Sequence, residues 1–258
     1  MSDGPTVSAV VLTFNEAENI AACLRRLQWA DECLVLDSGS TDDTVVIARA
    51  AGARVQVRLF DDYARQRNAA LALARGAWVL FVDADERVTP ALAAEIRRAI
   101  ESECLCAGYW IPRQNVILGR VVRHGGWYPD EQLRLLRRDR AHYDETKPVH
   151  EVVVLDGKSG HLSYHLIHHN YRRVRQLFAK QDRYATLEAR ELRRRGLRAR
   201  PHNFVLQPLR QFRWRYWELA AFRDGWRGLA LSLLLAAYTV VAYWRLWRLS
   251  GPSDRRRA

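Results

Sequence analysis

Apolar runs and helical repeats alternate along the first hundred residues of the chain. Four runs are rich in apolar and β-branched residues, and the last of them, 78–82, has no polar alternation, which is typical of a strand buried on both faces of a sheet. Between them, apolar residues recur at three- and four-residue spacing, which predicts helices. The predicted strands are 7–13, 33–36, 54–59 and 78–82, and the predicted helices are 16–27, 44–51, 64–75 and 91–101. This order indicates an α/β fold with a Rossmann-like, mostly parallel sheet.

The pattern changes between residues 108 and 169. Short β-like runs at 109–111, 133–136 and 152–155 are separated by Gly, Pro and His, which predicts a small antiparallel portion that completes a pocket. Residues 172–195 have the pattern of a long basic helix, and the Gly- and Pro-containing segment 195–208 is a candidate linker. We therefore expect one domain over residues 1–170 and a basic helical region over residues 171–258.

Charge is distributed unevenly along the 258 residues. The net charge is +12, yet residues 172–258 hold 21 Lys and Arg against 6 Asp and Glu, whereas the preceding residues hold 20 against 23. A basic protein of this kind binds nucleic acid or an anionic membrane. Because the positive charge is confined to the last third, the sequence favours a catalytic domain followed by an appendage that binds a surface.

Three carboxylates follow the fourth predicted strand, in the segment Asp83-Ala-Asp85-Glu86. Packed carboxylates repel each other and are costly to desolvate, so a divalent cation would explain their presence after a buried strand. Mg²⁺ and Mn²⁺ prefer oxygen ligands and share their coordination with diphosphates. Two other predicted strands end in polar segments, 13–16 and 37–40. Since ligands bind at the carboxyl ends of parallel strands, the three segments predict one site for a cation and a diphosphate.

These segments, in this order, resemble the family 2 glycosyltransferases of GT-A fold. Arg67-Asn68 and the later stretches 127–135 and 149–151 belong to the same resemblance, which is strong over about residues 6–100. The later stretches are similar to the branch that includes the lipopolysaccharide core-biosynthesis glucosyltransferases. The resemblance implies a nucleotide-diphosphate-sugar donor, with UDP and glucose expected, a divalent cation (Mg²⁺ or Mn²⁺) and inversion at the anomeric carbon.

The resemblance also assigns roles to the polar residues at the strand ends. Asp83 and Asp85 would hold the ribose and the metal, with Asp85 preferred as the direct metal ligand. Asp37 would accept a hydrogen bond from the base, and Arg67 would lie near the base or the phosphates. The residues implied to line the nucleotide pocket are Thr13, Asn15 and Glu16.

Glycosyl transfer also needs a base that removes the proton of the acceptor hydroxyl. Asp130 is the candidate, because it follows Pro129 in the portion outside the Rossmann-like sheet, where an acceptor would approach. Glu131 is the second candidate. The alternative is that Asp130 only caps a turn after Pro129.

Structural interpretations remain open for several of these residues. Asp37 could cap the following helix, and Arg67 could be an exposed helix residue. Glu86 is interpreted as a loop or helix-end charge rather than a metal ligand. His150 could bind metal or phosphate, or simply be packed. The histidines between positions 161 and 169 lack an acid or cysteine at standard spacing, so zinc is not expected there.

Residues 228–244 carry no charge and are bounded by Arg227 and Arg245, which is close to the shortest length that spans a membrane. Interleaved Arg and Trp around this segment are typical of the lipid headgroup layer. Because both flanks are basic, a span would break the positive-inside tendency, and we favour a helix lying in the cytoplasmic leaflet. A true span and packing in a homo-oligomer remain alternatives. In the nucleic-acid alternative, these aromatic residues stack on bases. The long apolar helix disfavours that alternative.

The sequence thus predicts an inverting glycosyltransferase that adds a hexose to a lipid-anchored glycan such as the lipopolysaccharide inner core. It would be peripheral or monotopic on the cytoplasmic face of the inner membrane, with a nucleotide sugar, the acceptor and anionic lipid as partners and no nucleic acid. The alternatives are transfer to polyprenyl phosphate, polysaccharide synthesis, and a non-catalytic protein that binds membranes or nucleic acid. Processive synthases carry Gln-x-x-Arg-Trp, whereas Gln211-Phe-Arg-Trp214 is one residue short.

Overall fold

The computed structural model describes residues 4–102, 105–146 and 152–249. The chain forms two compact units. The first comprises the residues up to 113 together with 130–168, and the second comprises 114–129 together with the residues from 169 onward.

Strands and helices alternate through about the first hundred residues, as the sequence pattern predicts. The helices of the second unit are preceded by the last strand. A π-helical turn (Trp214–Glu218) and a 3₁₀ turn (Ala221–Asp224) separate its last two helices. The strands are β1 (Val7–Thr13), β2 (Glu32–Asp37), β3 (Arg54–Val57), β4 (Trp78–Asp83), β5 (Glu86–Val88), β6 (Cys106–Ile117), β7 (Arg120–Val121), β8 (Asp130–Arg137), β9 (Ala141–Tyr143), β10 (Val153–Leu155), β11 (Lys158–His161) and β12 (Leu166–Tyr171). The helices are α1 (Ile20–Leu24), α2 (Thr44–Ala50), α3 (Tyr63–Leu73), α4 (Pro90–Glu101), α5 (Val174–Arg194), α6 (Asn203–Arg213) and α7 (Trp226–Leu249).

The described strands other than β9 and β10 form one mixed sheet, whose main path runs β3-β2-β1-β4-β8-β6-β12-β5. Its first half is parallel: β1 pairs with β2 on one side and β4 on the other. The register places Thr13 opposite Asp37 and Leu12 opposite Asp83, so the three polar strand ends meet at one edge. β8 is antiparallel to both β4 and β6, and β9 and β10 form a separate antiparallel pair. The expected antiparallel portion is therefore present, but most of it extends the main sheet.

The central parallel strands β1 and β4 are buried on both faces, which explains why their sequences are almost continuously apolar. On β4, Leu80 and Val82 belong to one buried cluster and Val79 and Phe81 to the other. β1 divides its residues between the same two clusters. The last residues of a strand that is covered on both faces have limited access to solvent, so charged groups at this position need partners.

The structure corrects several boundaries. The predicted helix 16–27 shortens to α1, because turns occupy residues 17–19 and 25–29. The predicted linker 195–208 is wrong over its last part, because α6 starts at Asn203 and contains Pro208. Glu86 does not lie in a loop: it begins β5, which pairs antiparallel with β12. Cys106 is disulfide-bonded, whereas Cys23 and Cys33 are free thiols.

The second unit contains the long amphipathic helix α5 and the apolar helix α7. α7 spans 24 residues with a mean hydropathy of 1.6 in its most apolar window, only 28% of which is buried. Length and composition would allow this helix to cross a membrane. α6 has no buried residue, although it carries Val205, Leu206 and Leu209.

Candidate active site

Reciprocal hydrogen bonds join the loop after β1 to the loop after β2. The Asn15 backbone N–H donates to Ser40 Oγ at 2.8 Å, and the Thr41 N–H donates to Asn15 Oδ1 at 2.8 Å. Asn15 adopts a positive φ of 55°, which asparagine tolerates better than most residues. The Glu16 N–H donates to Thr44 Oγ1 at 2.7 Å, and the Asn19 side chain donates to Glu16 Oε2 at 2.6 Å. The two loops therefore form one continuous wall at the edge of the sheet.

Asp37 is fully buried behind this wall and accepts four hydrogen bonds. One carboxylate oxygen accepts from the Gly39 and Ser40 backbone N–H groups at 3.0 and 2.8 Å. The other accepts from the Thr13 and Ser40 hydroxyls. Four donors fill the usual capacity of a carboxylate. Asp37 thus fixes the loop after β2, and it does not cap α2, which starts at Thr44. The contact with a base stays a prediction, and it requires one donor, such as the Ser40 hydroxyl, to rotate away.

Arg67 lies inside the first unit and not on the helix surface. Its guanidinium stands over the rings of Phe81 and Tyr143, at 5.0 and 5.6 Å from their centroids. Its Nη2 lies 3.8 Å from Asp83 Oδ1. The alternative of an exposed helix residue is therefore wrong, and Arg67 contributes positive charge beneath the end of β4.

A chain of alternating charges runs from the end of β4 to the start of β8. Arg134 donates to both oxygens of Asp83, at 3.1 and 2.5 Å, and its Nη2 lies 3.6 Å from Glu86 Oε1. Arg113 donates to the same Glu86 oxygen at 3.2 Å and to Asp130 Oδ2 at 2.6 Å. Asp83, Arg134, Glu86, Arg113 and Asp130 thus form one network. It connects the predicted metal-binding segment with the predicted base.

The network sets the charge state of its buried members. Burial would raise the pKa of Asp83, but the charges of Arg134 and Arg67 outweigh it and hold that pKa well below its usual range. Burial raises the pKa of Glu86, and the negative charge of Asp83 adds to the effect despite Arg134 and Arg113. Burial opposes the charge of Arg134, yet Asp83 and Glu86 raise its pKa. Asp83 is therefore the anionic partner of Arg134, and Glu86 is the carboxyl that is harder to ionise.

Asp85 points away from this network. Its Oδ2 lies 3.3 Å from Nε2 of His168, which is buried on β12, and its side chain is 31% exposed. Arg87 fixes the turn that carries Asp85 by donating to the carbonyl oxygens of Ala84 and Glu86 at 2.8 and 2.6 Å. Asp83 is slightly more exposed, at 37%, but Arg134 holds both of its oxygens, so Asp85, which lies beside a histidine, is the carboxylate of this segment better placed to bind a cation.

The residues could bind a divalent cation whose remaining coordination positions are filled by a substrate phosphate. Among the described residues, no group of three His, Cys, Asp or Glu side chains could hold a metal ion. Asp85 and His168 could supply two ligands, whereas both oxygens of Asp83 are held by Arg134. Mg²⁺ and Mn²⁺ bound through one or two protein groups take substrate phosphates as further ligands. The geometry favours Asp85 over Asp83 as the direct ligand.

Asp130 and Glu131 have different surroundings. Asp130 is the first residue of β8 and pairs in register with Arg113, so it is not a turn cap. Its Oδ1 accepts from the Gln132 side chain at 3.0 Å, and its side chain is 29% exposed. Glu131 Oε1 instead lies 3.3 Å from His161 Nδ1. Adjacent residues of a strand face opposite sides, so only Asp130 shares the network with Asp83.

Sequence reasoning missed Arg113, Arg134 and His168, and it misplaced Glu86. The available signal was the alternation of polar residues at 130, 132 and 134 on β8, which marks one face of a strand as polar. No local signal identifies Arg113, because its partners are 17 and 27 residues away. His150 and Glu151 lie outside the described residues.

Comparison with known proteins identifies the class. The model of glycosyl transferase family 2 matches residues 8–154, more than half of the chain. The chain therefore belongs to the family 2 glycosyltransferases, as its motifs indicate.

Two relatives and one solved structure extend this result. The chain is 26% identical over 248 residues to the lipopolysaccharide core biosynthesis glycosyltransferase LpsC of Rhizobium meliloti, covering 94% of this chain and 92% of LpsC. It is 27% identical to an uncharacterised glycosyltransferase of Rickettsia felis, covering 89% and 85%. The mannosyltransferase PcManGT of Pyrobaculum calidifontis, solved with GDP-mannose and Mn²⁺, aligns with a TM-score of 0.53 at 18% identity, covering 96% and 89%. The last likeness confirms the GT-A fold.

We expect Arg134→Gln to destabilise the first unit by about 3 kcal/mol, because it removes a buried cation and leaves the fully buried Glu86 and the partly buried Asp83 without their shared partner. Urea unfolding monitored by fluorescence measures the change. Arg137→Gln is the matched control on the same strand. Its partner Asp139 is 65% exposed, so we expect a loss within about 0.5 kcal/mol. Equal losses in the two variants would contradict the structural role of the network.

Proposed function

We propose that this protein is an inverting glycosyltransferase that moves a hexose from a nucleotide-diphosphate sugar to a lipid-anchored glycan. The observation that carries the proposal is the charge network, which joins the predicted metal segment Asp83–Asp85 to Asp130. Through Asp83, the turn that carries Asp85 is linked to Asp130 by paired side chains, and this supports a single displacement, which needs the donor and the base held together.

The donor would lie against the edge formed by the ends of β1, β2 and β4. Asp85, with His168 beside it, would hold Mn²⁺ or Mg²⁺, and the wall built on Asn15 and Ser40 would contact the nucleotide. When bound, the cation acts as a Lewis acid that neutralises the leaving diphosphate. The Mn²⁺ and GDP-mannose in PcManGT support a divalent cation and a nucleotide sugar. Among nucleotides, UDP remains the expected one, on the sequence resemblance.

Asp130 would act on the acceptor side. The acceptor hydroxyl oxygen forms a bond to the anomeric carbon, the bond from that carbon to the diphosphate oxygen breaks, and the hydroxyl proton passes to Asp130. Attack from the face opposite the leaving group inverts the anomeric configuration. The two hydrogen bonds from Arg113 to Asp130 Oδ2, at 3.0 and 2.6 Å, hold the carboxylate in one orientation.

The acceptor class is proposed from the similarity to LpsC and from the C-terminal helices. A glycan of the lipopolysaccharide core is anchored in a membrane, and α7 is apolar and mostly unburied. We place the protein on the cytoplasmic face of the inner membrane, as a peripheral or monotopic protein that binds anionic lipid. Homo-oligomerisation through the C-terminal helices is the alternative use of the same apolar surface.

A screen of nucleotide sugars tests the proposal. We expect thermal stabilisation by one nucleotide-diphosphate hexose in the presence of Mn²⁺, and loss of that stabilisation with EDTA, because the Asp85 carboxylate repels the diphosphate unless a cation lies between them. Mass spectrometry of extracted lipid acceptors, incubated with the stabilising donor, then detects the added hexose. Stabilisation by no nucleotide sugar, or stabilisation that EDTA leaves unchanged, would contradict the assignment and favour a non-catalytic membrane-binding protein.

A further inference from the structure

The second unit contains a cavity of about 450 Å³ that the proposed transfer chemistry does not use. Residues of α5, α6, the π-helical turn and α7 line it. Its walls combine arginines with amide, hydroxyl and aromatic side chains, including Gln207, Gln211 and Thr239. Such a mixture can bind a charged polar group but does not suit a purely apolar ligand.

Arg215 gives the cavity its most specific feature. It belongs to the π-helical turn, and its Nε is buried without a hydrogen-bond partner. Its Nη1 donates to the carbonyl oxygen of Gly125 at 2.7 Å, and its guanidinium stands 5.2 Å from the ring of Trp214. Among the described residues no carboxylate pairs with it. Partial burial lowers the pKa of Arg215. A partly buried cation whose Nε has no hydrogen-bond partner is stabilised by an anion.

The other charged groups of the cavity leave an excess of positive charge. Arg213 pairs with Glu218 at 3.0 Å. Glu188 is the remaining acid of the lining, so three arginines face two carboxylates. Arg210 lines the cavity and has no ion pair among the described residues. Arg210 and Arg215 are therefore the two cations available to a ligand.

Exposed apolar residues of the same unit indicate that the anionic ligand also carries an apolar chain. On α6, Val205, Leu206 and Leu209 are all more than half exposed. On α7, Leu229 and Leu233 are also exposed. A ligand that places an anionic head in the cavity could lay an apolar chain along these helices. The combination is typical of recognition of an amphiphile at a membrane interface.

We propose that this cavity binds the phosphate-monoester head of a lipid, with Arg210 and Arg215 contacting the phosphate oxygens. A phosphate presents three strong acceptor oxygens, which match the fork of an arginine side chain. The proposal does not rest on the transfer reaction, because it concerns binding in the second unit alone. It would give the chain a selective lipid contact in addition to general attraction between basic residues and anionic membranes.

Vesicle flotation with the full chain tests the proposal. The probes are phosphatidylcholine vesicles that contain either phosphatidic acid, a phosphate monoester, or phosphatidylserine, adjusted to the same zeta potential. We expect about tenfold tighter binding to the phosphatidic acid vesicles, the effect of one or two charge-assisted hydrogen bonds. Arg215→Gln and Arg210→Gln should each reduce this preference to about twofold or less. Arg227→Gln, which removes the same charge from α7 outside the cavity, should leave the preference intact.

Two results of the flotation experiment would overturn the proposal. One is equal binding of the unaltered protein to both vesicle types. The other is an equal loss of preference in Arg227→Gln and the cavity variants, which would assign the effect to general charge. Circular dichroism checks that each variant is folded. If Arg215→Gln does not fold, Arg210→Gln still tests the proposal, because Arg210 is exposed at the edge of the cavity. Competition by inorganic phosphate that requires Arg215 would support the phosphate site and assign it to soluble phosphates as well as lipid.

Discussion

Replacement of Asp85 by Asn is expected to lower the rate of sugar transfer by more than about 100-fold. The variant keeps the size of the side chain but removes the negative charge of the carboxylate that lies beside His168 in the turn after β4. With Asp83 held by Arg134 at both oxygens, no other carboxylate of this turn is equally free to bind the cation. Without a bound cation, the charge that develops on the leaving diphosphate is not neutralised. Release of nucleotide diphosphate at saturating donor and Mn²⁺ measures the effect.

Asp43→Asn provides the matched control for this prediction. Asp43 is an exposed aspartate at the start of α2, and its side chain makes no capping hydrogen bond. We expect its variant to stay within about twofold of the unaltered rate. An Asp85→Asn protein that transfers sugar at the original rate with the original Mn²⁺ requirement would remove Asp85 from the metal site.

Replacement of Asp130 by Asn is expected to lower the transfer rate by about 10²- to 10⁴-fold, the usual contribution of a general base. The amide keeps one oxygen for Arg113 but cannot accept the acceptor's proton. Donor binding should be unchanged, because Asp130 acts only on the acceptor. The measurement therefore combines the transfer rate with the affinity for the nucleotide sugar, and only the rate should fall.

Glu131→Gln separates the two candidate bases. Glu131 faces His161 and not Arg113, so we expect a change in rate of less than about threefold. A loss in Glu131→Gln as large as that in Asp130→Asn would contradict the choice of base. A loss of donor affinity in Asp130→Asn would show that this residue supports the donor site instead.

The sequence predicts an element correctly where a local residue pattern is compatible with only one structure. A strand buried on both faces must be continuously apolar, so β1, β2 and β4 could be placed from composition alone. Their order along the chain then placed Asp37 and Asp83 at one edge. The structure confirms that placement through the register of Thr13 with Asp37 and Leu12 with Asp83.

The partners of the acidic residues could not be predicted, because they come from distant strands. Arg113 and Arg134 reach Glu86 only after β6 and β8 have added to the sheet in antiparallel order. The interpretation of Glu86 as a loop or helix-end charge is wrong, because the residue is fully buried, which is rare for a carboxyl without a partner. Its burial became understandable only with both arginines in place. α6 was missed for a local reason: Pro208 indicates a helix end, whereas this helix contains it.

The binding of Mn²⁺ tests the central claim most directly, namely that the turn after β4 forms a donor site completed by a diphosphate. Electron paramagnetic resonance measures free Mn²⁺ in the presence of the chain, with and without a nucleoside diphosphate. The structure predicts weak binding of Mn²⁺ alone, at least about tenfold tighter binding with the nucleotide, and loss of that gain in Asp85→Asn. Tight binding that needs no nucleotide, or a gain that survives Asp85→Asn, would contradict the account.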